Sequence, residues 1–92
     1  MANEAIALLE VQANVAAIAG LDAMVKAANV RLIHVERRLG GRLVTVVVEG
    51  SVSDVTAAAE AGAAAAREVG NVKLCEVIAR PHPQVMKFLT TG

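Results

Sequence analysis

The residues of this sequence that could perform chemistry are few and scattered. Cys75 is the single cysteine among 92 residues, so it can form neither an internal disulfide nor a thiolate zinc cluster. The sequence offers no evident base to activate its thiol, and its alternation with Val77 predicts a small buried hydrophobic residue. His34 and His82 have no Cys or Asp at ligand spacing, so we expect no metal site.

Motifs for catalysis are also absent from the sequence. It contains no nucleophile motif, no GxGxxG segment and no Walker loop, and Gly40-Gly41 alone indicates a turn. We therefore expect no catalytic residues, no cofactor and no enzymatic activity.

The densest charge in the chain is basic and surrounds this Gly-Gly pair. One interpretation is a solvated hairpin whose arginines partly pair with Glu36 or Glu49 across the strands. A nucleic-acid site is disfavoured, because nine Lys and Arg balance nine Asp and Glu and aromatic residues are 1%. The three cations within six residues are Arg37, Arg38 and Arg42.

Composition predicts one folded domain over residues 1–92 that associates with other subunits. Hydrophobic residues make up 55% and charged residues 20%, which excludes a disordered chain. No apolar stretch reaches the roughly 18 residues of a membrane span, and residues 1–10 do not form a secretory signal. We expect a cytoplasmic protein with no membrane partner. A domain this small exposes much of its area, so part of its apolar surface should face other subunits.

The periodicities predict an α+β fold with the order β-α-β-β-α-β-α. This order is typical of a ferredoxin-like variant: an antiparallel four-stranded sheet, two main helices on one face and a short C-terminal helix. The predicted strands are Glu4–Val11, Val30–Glu36, Arg42–Glu49 and Val72–Ala79, and the helices run over 14–28, 51–69 and Pro83–Leu89.

Local signals predict how the helices begin, end and pack. Asn14 is the expected N-cap of the first helix, and Asn29 is expected to end it in a left-handed conformation. Asp22 and Lys26 are spaced for an ion pair. In the second helix, Ser51 and Asp54 fit a capping box in which Asp54 reaches the Ser51 amide, and Gly70 stops the helix. The face of the first helix expected in the core carries Ile18, Leu21, Val25 and Ala28.

Four segments occur together in one order, and their combination is more specific than the pattern of elements. They are Asp22–Val30 (DAMVKAANV), Leu43–Val46 (LVTV), Ala61–Arg67 (AGAAAAR) and Ala79–His82 (ARPH). In these segments the sequence resembles the bacterial microcompartment shell protein family, single-domain hexameric type, over about residues 4–89. The resemblance implies a homohexameric flat tile that packs edge to edge, with other shell proteins and enclosed enzymes as partners.

The resemblance also implies which residues act at the edge of the tile. Lys26 corresponds to the family lysine that packs against its twofold mate, and Arg80 to the arginine that reaches the neighbouring tile. Asn29 and His82 lie in the same segments and are further candidates. Glu49 stands where an arginine is common and Ser51 where an aspartate is common, which changes surface charge and a helix cap.

The resemblance also implies a pore on the sixfold axis of the hexamer. A turn of each subunit lines this pore, through which metabolites pass. Here the hairpin is about one residue longer than the usual Gly-Ser-Gly turn and richer in arginine. Arg42 directly follows the turn and is ranked first, with Arg38 second; either would favour small anionic or polar metabolites. Leu39 would instead form an apolar gate, and both options stay open. The pore candidates are Arg38, Leu39, Gly40, Gly41 and Arg42.

Two functions from different classes follow. The first is a structural shell protein in a bacterial microcompartment, in which Ala61–Arg67 and Gly70–Lys73 resemble the shells of catabolic compartments more than those of carboxysomes. The alternative is a ferredoxin-like regulatory domain that senses a small molecule between subunits.

Overall fold

All seven predicted elements form, in the predicted order, in a computed structural model that describes residues 4–37 and 40–91. The pore candidates Arg38 and Leu39 lie outside the described residues. The elements are β1 (Ala5–Gln12), α1 (Asn14–Ala27), β2 (Arg31–Glu36), β3 (Leu43–Gly50), α2 (Val52–Arg67), β4 (Asn71–Ala79) and α3 (Pro83–Thr91).

The four strands form one sheet in the order β2-β3-β1-β4, and every neighbouring pair is antiparallel. The sheet confirms the predicted ferredoxin-like topology, because β1 and β2 are separated by β3 and joined through α1. The central strand β1 begins at Ala5, which pairs with Gly50 and Ala79. It ends at Gln12, which pairs with Leu43 and Asn71.

Helices α1 and α2 cover one face of the sheet and pack closely on each other. Gly20 and Gly62 lie where the two helices meet: a Cβ on Gly62 would come 2.5 Å from Met24 Cγ and 3.2 Å from the Gly20 carbonyl oxygen. Close packing of this kind requires small residues at the contact. The buried alanines of α2 continue the contact along the helix: Ala58, Ala59, Ala63 and Ala66.

For helix α1, the predicted core face is confirmed at Leu21 and Ala28, which pack against the core, and is wrong at Ile18 and Val25. Its buried residues are Ala16, Ala17, Gly20 and Met24, whereas Ile18 is 61% exposed and Val25 is 46% exposed. The physical reason is the close approach of α2, which turns the small side chains of α1 inward. The larger apolar side chains of α1 therefore remain on the surface.

Two of the predicted caps are also wrong. Ala13, not Asn14, is the N-cap of α1, with φ 90° and no side-chain hydrogen bond. Asn29 is not left-handed, because α1 already ends at Ala27 and Ala28 is extended. The helix therefore begins and ends without the asparagine side chains that its sequence suggested.

The predicted cap of α2 forms with one change. The Asp54 amide donates to Ser51 Oγ at 3.1 Å, and the Ser51 hydroxyl donates to Asp54 Oδ2 at 2.9 Å. The carboxylate thus bonds the hydroxyl and not the Ser51 amide. At its other end the helix stops at Arg67, two residues before the predicted end at Val69.

The second face of the sheet is covered only in part, by α3. Ile6 and Val47 of the sheet are buried against Leu89, with Ile33 and Met86 packed around them. No other element of the described residues covers the rest of this face.

Candidate functional site

The sheet register separates the candidate residues into two groups at opposite ends of β1. We call the segment Gly40–Arg42 the turn end; it lies beside Gln12, where the Ala13 amide donates to the Arg42 carbonyl oxygen at 2.8 Å. We call the segments 26–30 and 80–82 together the loop end, beside Ala5.

Contacts at the start of β1 define the loop end. The Arg80 amide donates to the Glu4 carbonyl oxygen at 2.6 Å. A Cβ on Gly50, which pairs with Ala5, would come 3.0 Å from the Asn29 carbonyl oxygen. Helix α1 has 14 residues, so it spans about 20 Å between the two ends. Its first residue follows Ala13 at the turn end and its last turn carries Lys26 at the loop end.

The turn itself is left-handed over three consecutive residues. The φ values are 81° at Gly40, 60° at Gly41 and 62° at Arg42, and the Leu43 amide donates to the Gly40 carbonyl oxygen at 3.0 Å. The glycines adopt positive φ as the sequence predicts. Arg42 adopts it at a cost of about 1 kcal/mol, because its Cβ crowds the backbone in this conformation.

The side chain of Arg42 lies beside a shallow cavity. The cavity has a volume of about 390 Å³ and separates the turn from the start of α1. Arg37 contributes a second cation to it, and both arginines are exposed. The turn end therefore presents positive charge to solvent. The remaining lining residues are Ala13, Asn14, Val15, Leu43 and Val44.

Gln12 bonds the turn to the rest of the sheet. Its side-chain amide donates to the Gly41 carbonyl oxygen at 3.1 Å, and its Oε1 accepts from Asn71 Nδ2 at 3.3 Å. The sequence gives no signal for this role, because Gln12 and Gly41 are 29 positions apart and meet only once the sheet register is known.

At the loop end, the predicted ion pair of α1 is confirmed. Lys26 Nζ lies 2.8 Å from Asp22 Oδ2, and the Lys26 side chain is 73% exposed. The backbone of Arg80 has φ 48°, an unfavourable conformation for a residue with a Cβ. Its side chain is exposed and precedes Pro81, whose ring fixes the next φ.

His82 performs a local task that the sequence did not reveal. Its Nδ1 accepts a hydrogen bond from the Gln84 amide at 3.1 Å, so the imidazole caps the N-terminus of α3. Pro83 follows at the first helical position, as predicted. The ring is exposed.

Glu49 is not a surface charge, in contrast to the expectation from sequence. It is 4% exposed, and Arg31 on the neighbouring strand donates to its Oε2 through Nε at 2.8 Å and also through Nη2. A buried carboxylate needs such a partner, since desolvation otherwise disfavours its charge. The two residues can pair because the β2–β3 register places Arg31 opposite Glu49.

The surroundings of Cys75 are those of a packed side chain and not of a reactive thiol. Cys75 is partly buried, and its thiol donates to the Ala59 carbonyl oxygen at 3.6 Å. Burial raises the pKa of the Cys75 thiol, and the charge of Glu76 adds to the rise while Arg67 opposes it. This direction disfavours the thiolate that a nucleophile requires.

His34 lies on the open face of the sheet, with its Nε2 3.5 Å from Glu36 Oε1. It lines a cavity of about 460 Å³ that Phe88 and Leu89 border. Over residues 4–37 and 40–91, no group of three His, Cys, Asp or Glu side chains could hold a metal ion. In the same part of the chain, no helix combines the length and apolarity needed to cross a membrane.

Comparison with known proteins identifies the sequence relatives. A family model described as the BMC domain matches residues 5–81. The bacterial microcompartment shell protein PduA of Citrobacter freundii is 52% identical over 92 residues, which cover all of this chain and 98% of PduA. EutM of Escherichia coli K12, a shell protein of the same description, is 43% identical over 97% of this chain and 91% of its own. The carboxysome shell protein CsoS1 of Prochlorococcus marinus is 45% identical over all of this chain and 93% of its own.

A solved structure has the same fold. It is a microcompartment protein from Desulfitobacterium hafniense that superposes with a TM-score of 0.83 at 28% identity. The match covers all of this chain and 48% of that protein, so this chain spans about half of its length.

Proposed function

Because the chain belongs to the BMC family of bacterial microcompartment shell proteins, we propose that it forms a hexameric tile of the shell, with the turn end at a central pore and the loop end at the tile edge. The structural role in a shell follows from the family. The hexamer, the pore and the assignment of residues to each are the proposal.

The observation that carries the proposal is the separation of the two ends along β1 and α1. A flat tile needs its pore residues and its edge residues at opposite ends of each subunit. Helix α1 runs from Ala13, which is bonded to Arg42, to Lys26 in its last turn. The residues proposed for the two tasks thus lie beside opposite ends of a helix that is about 20 Å long.

Exposed apolar side chains on α1 support association of subunits. Val15 is 64% exposed, Ile18 is 61% exposed and Val25 is 46% exposed, all on a helix whose small residues face inward. An apolar strip of this kind is unfavourable in water and is typical of a surface that contacts another protein. In the proposed ring this strip packs against the next copy of the chain.

At the tile edge, Lys26 and Arg80 are proposed as the anchors between hexamers. Both side chains are exposed at the loop end, and Arg80 directly follows the last residue of β4 with a φ of 48°. Contacts between tiles are small compared with contacts within a ring, so a few anchors carry a large share of the binding. Asn29 and His82 lie beside these anchors and are proposed as secondary contacts.

At the pore, the glycine backbone and Arg42 are proposed to meet solutes. Gly40 and Gly41 carry no side chains and leave space, and an added Cβ at either would meet nothing within 4 Å. In a ring, every copy would contribute one Arg42, which concentrates positive charge and favours small anionic or polar metabolites. Arg38 remains the second cationic candidate and Leu39 the apolar rival.

For the kind of compartment, we propose a catabolic one. The segments Ala61–Arg67 and Gly70–Lys73 carry this proposal. The proposed partners are further copies of this chain, other shell proteins and the enclosed enzymes.

The test combines native mass spectrometry with negative-stain electron microscopy. We expect the purified protein to be a hexamer that forms extended sheets or tubes, whereas Lys26→Ala and Arg80→Ala should remain hexamers without sheets. Lys73→Ala and Arg67→Ala remove the same charges away from the loop end and should retain the sheets. A stable monomer at micromolar concentration contradicts the hexamer, and disassembly of either loop-end variant to monomers contradicts its assignment to the edge.

A further inference from the structure

The turn end is a strained segment with few bonds of its own. Within the described residues, its backbone is held by the bond from the Leu43 amide to Gly40 and the bond from the Ala13 amide to Arg42. Gly40 and Gly41 adopt positive φ without steric cost, but Arg42 has no intrinsic preference for this conformation. A third bond, from a side chain, therefore has a large influence on where the turn lies.

Gln12 supplies that bond from the centre of the sheet. It is the last residue of β1, which lies between β3 and β4, so its side chain can reach both neighbouring strands. The donor end of its amide bonds Gly41 at 3.1 Å, and the acceptor end bonds Asn71 at 3.3 Å. An amide bonded at both ends is fixed in orientation, since a flipped amide would face each partner with the wrong group.

The start of β4 is itself held close to Gln12 by a glycine. A Cβ on Gly70 would lie 2.9 Å from Ala16 Cβ and 3.1 Å from the Gln12 carbonyl oxygen. The absence of a side chain at Gly70 allows this approach and brings Asn71 within reach of the Gln12 amide. Packing of Gly70 on α1 and the hydrogen bonds from Asn71 to Gln12 and from Gln12 to Gly41 therefore connect α1 and β4 to the turn.

We propose that Gln12 is a positioning residue for the pore turn: its side-chain amide, oriented by Asn71, fixes the Gly41 carbonyl and hence the place of Arg42. The proposal rests on the assignment of the turn to the pore. In a ring, the same tether in every copy would set the width of the opening and the distance between the Arg42 side chains.

The experiment compares Gln12→Met with the wild type by residue-resolved amide hydrogen exchange. Met has nearly the same length and lacks both the carbonyl oxygen and the NH2 group of the side-chain amide. We expect exchange at the Leu43 and Ala13 amides to become about five-fold faster, as the loss of one hydrogen bond predicts. Exchange in the core of α2 should stay within about two-fold, which separates loss of position from loss of stability.

Two variants serve as controls in the same measurement. Gln84→Met makes the same change on exposed α3 and should leave exchange at the turn unaltered. Asn71→Ala removes the orienting partner but keeps the bond to Gly41, and should accelerate the turn amides less than Gln12→Met. Unchanged turn exchange in Gln12→Met overturns the proposal, and so does an equal acceleration over the whole chain.

A sulfate titration of the same samples tests the pore separately. Sulfate should shift the Gly40 and Gly41 amide resonances of the wild type, with several-fold weaker binding in Gln12→Met. Absence of any response in the wild type contradicts the anion pore but leaves the exchange result as the test of Gln12. Equal sulfate affinity in both proteins, together with unchanged exchange, rejects the positioning role.

Discussion

The turn end and the loop end of the sheet hold their exposed cations by different means. At the turn end, Arg42 stands on backbone that Gln12 and Ala13 bond to the sheet. At the loop end, Lys26 is paired with Asp22 on its own helix, and its side chain is 73% exposed. A fixed backbone suits the proposed pore, whereas a long exposed side chain suits the proposed contact with a separate tile.

Backbone strain occurs at both ends. Among the described residues other than glycine, positive φ is found at Ala13 and Arg42 beside the turn and at Arg80 in the loop end. Strain of this kind persists where surrounding structure enforces it and is frequent at functional positions. The three residues therefore allow a comparison of conformational cost and function at the two ends.

The largest effect is expected from the ion pair that stabilises the strands leading to the loop end. Arg31→Ala removes the partner of Glu49, which is 4% exposed, and should lower the free energy of unfolding by about 2 kcal/mol. Lys26→Ala removes a cation from an exposed pair and should change it by less than about 0.5 kcal/mol. Urea denaturation measures both values, and equal values would contradict the burial of Glu49.

The next effect is a gain of stability at the turn end. Ala13→Gly relieves a φ of 90° and should raise the free energy of unfolding by about 1–2 kcal/mol. Ala64 is an exposed residue in the middle of α2. Ala64→Gly should lower the free energy of unfolding by about 1 kcal/mol, because glycine there only increases the conformational entropy of the unfolded chain. Thermal unfolding of the pair provides the measurement, and a loss of stability in Ala13→Gly would show that the strain is absent.

The smallest change in stability should accompany the clearest separation of function. Arg42→Gly and Arg80→Gly each remove a positive-φ side chain and should each stabilise the fold by about 0.5–1 kcal/mol. Arg42→Gly should keep the sheets and lose sulfate binding at the turn. Arg80→Gly should lose the sheets and keep sulfate binding. Electron microscopy measures the sheets and sulfate titration measures the binding. Loss of sheets in Arg42→Gly together with loss of sulfate binding in Arg80→Gly would contradict the assignment of the two ends.

Much of the fold could be predicted from sequence because the signals are local. A short apolar run with acidic ends marked β1, and β-branched residues marked β2 and β3. Gly40 and Gly41 marked the turn, and Ser51 marked the start of α2. The core face of α1 could be predicted only in part from hydrophobicity. The helix meets α2 through glycine and alanine, so Ile18 and Val25, the residues that hydrophobicity places inside, lie on the surface.

The candidate residues of the two ends were predicted through the family resemblance, but their supports were not. Arg31 and Glu49 meet across a strand pair that contains an irregularity between Leu32 and His34, so sequence spacing does not disclose their pairing. Gln12 reaches Gly41 only because the sheet brings together residues distant in the chain. Such contacts depend on strand register, which local sequence signals do not specify.

A crystal structure of the assembled protein grown in sulfate tests the assignment of the two ends most directly. We expect a sixfold axis lined by Gly40, Gly41 and Arg42, with sulfate on the axis within hydrogen-bond reach of the turn. Lys26 and Arg80 should lie at the contacts between neighbouring hexamers. An axis walled by Leu39, with the arginines paired away from it, would contradict the cationic pore, and a turn at the tile periphery would contradict the account as a whole.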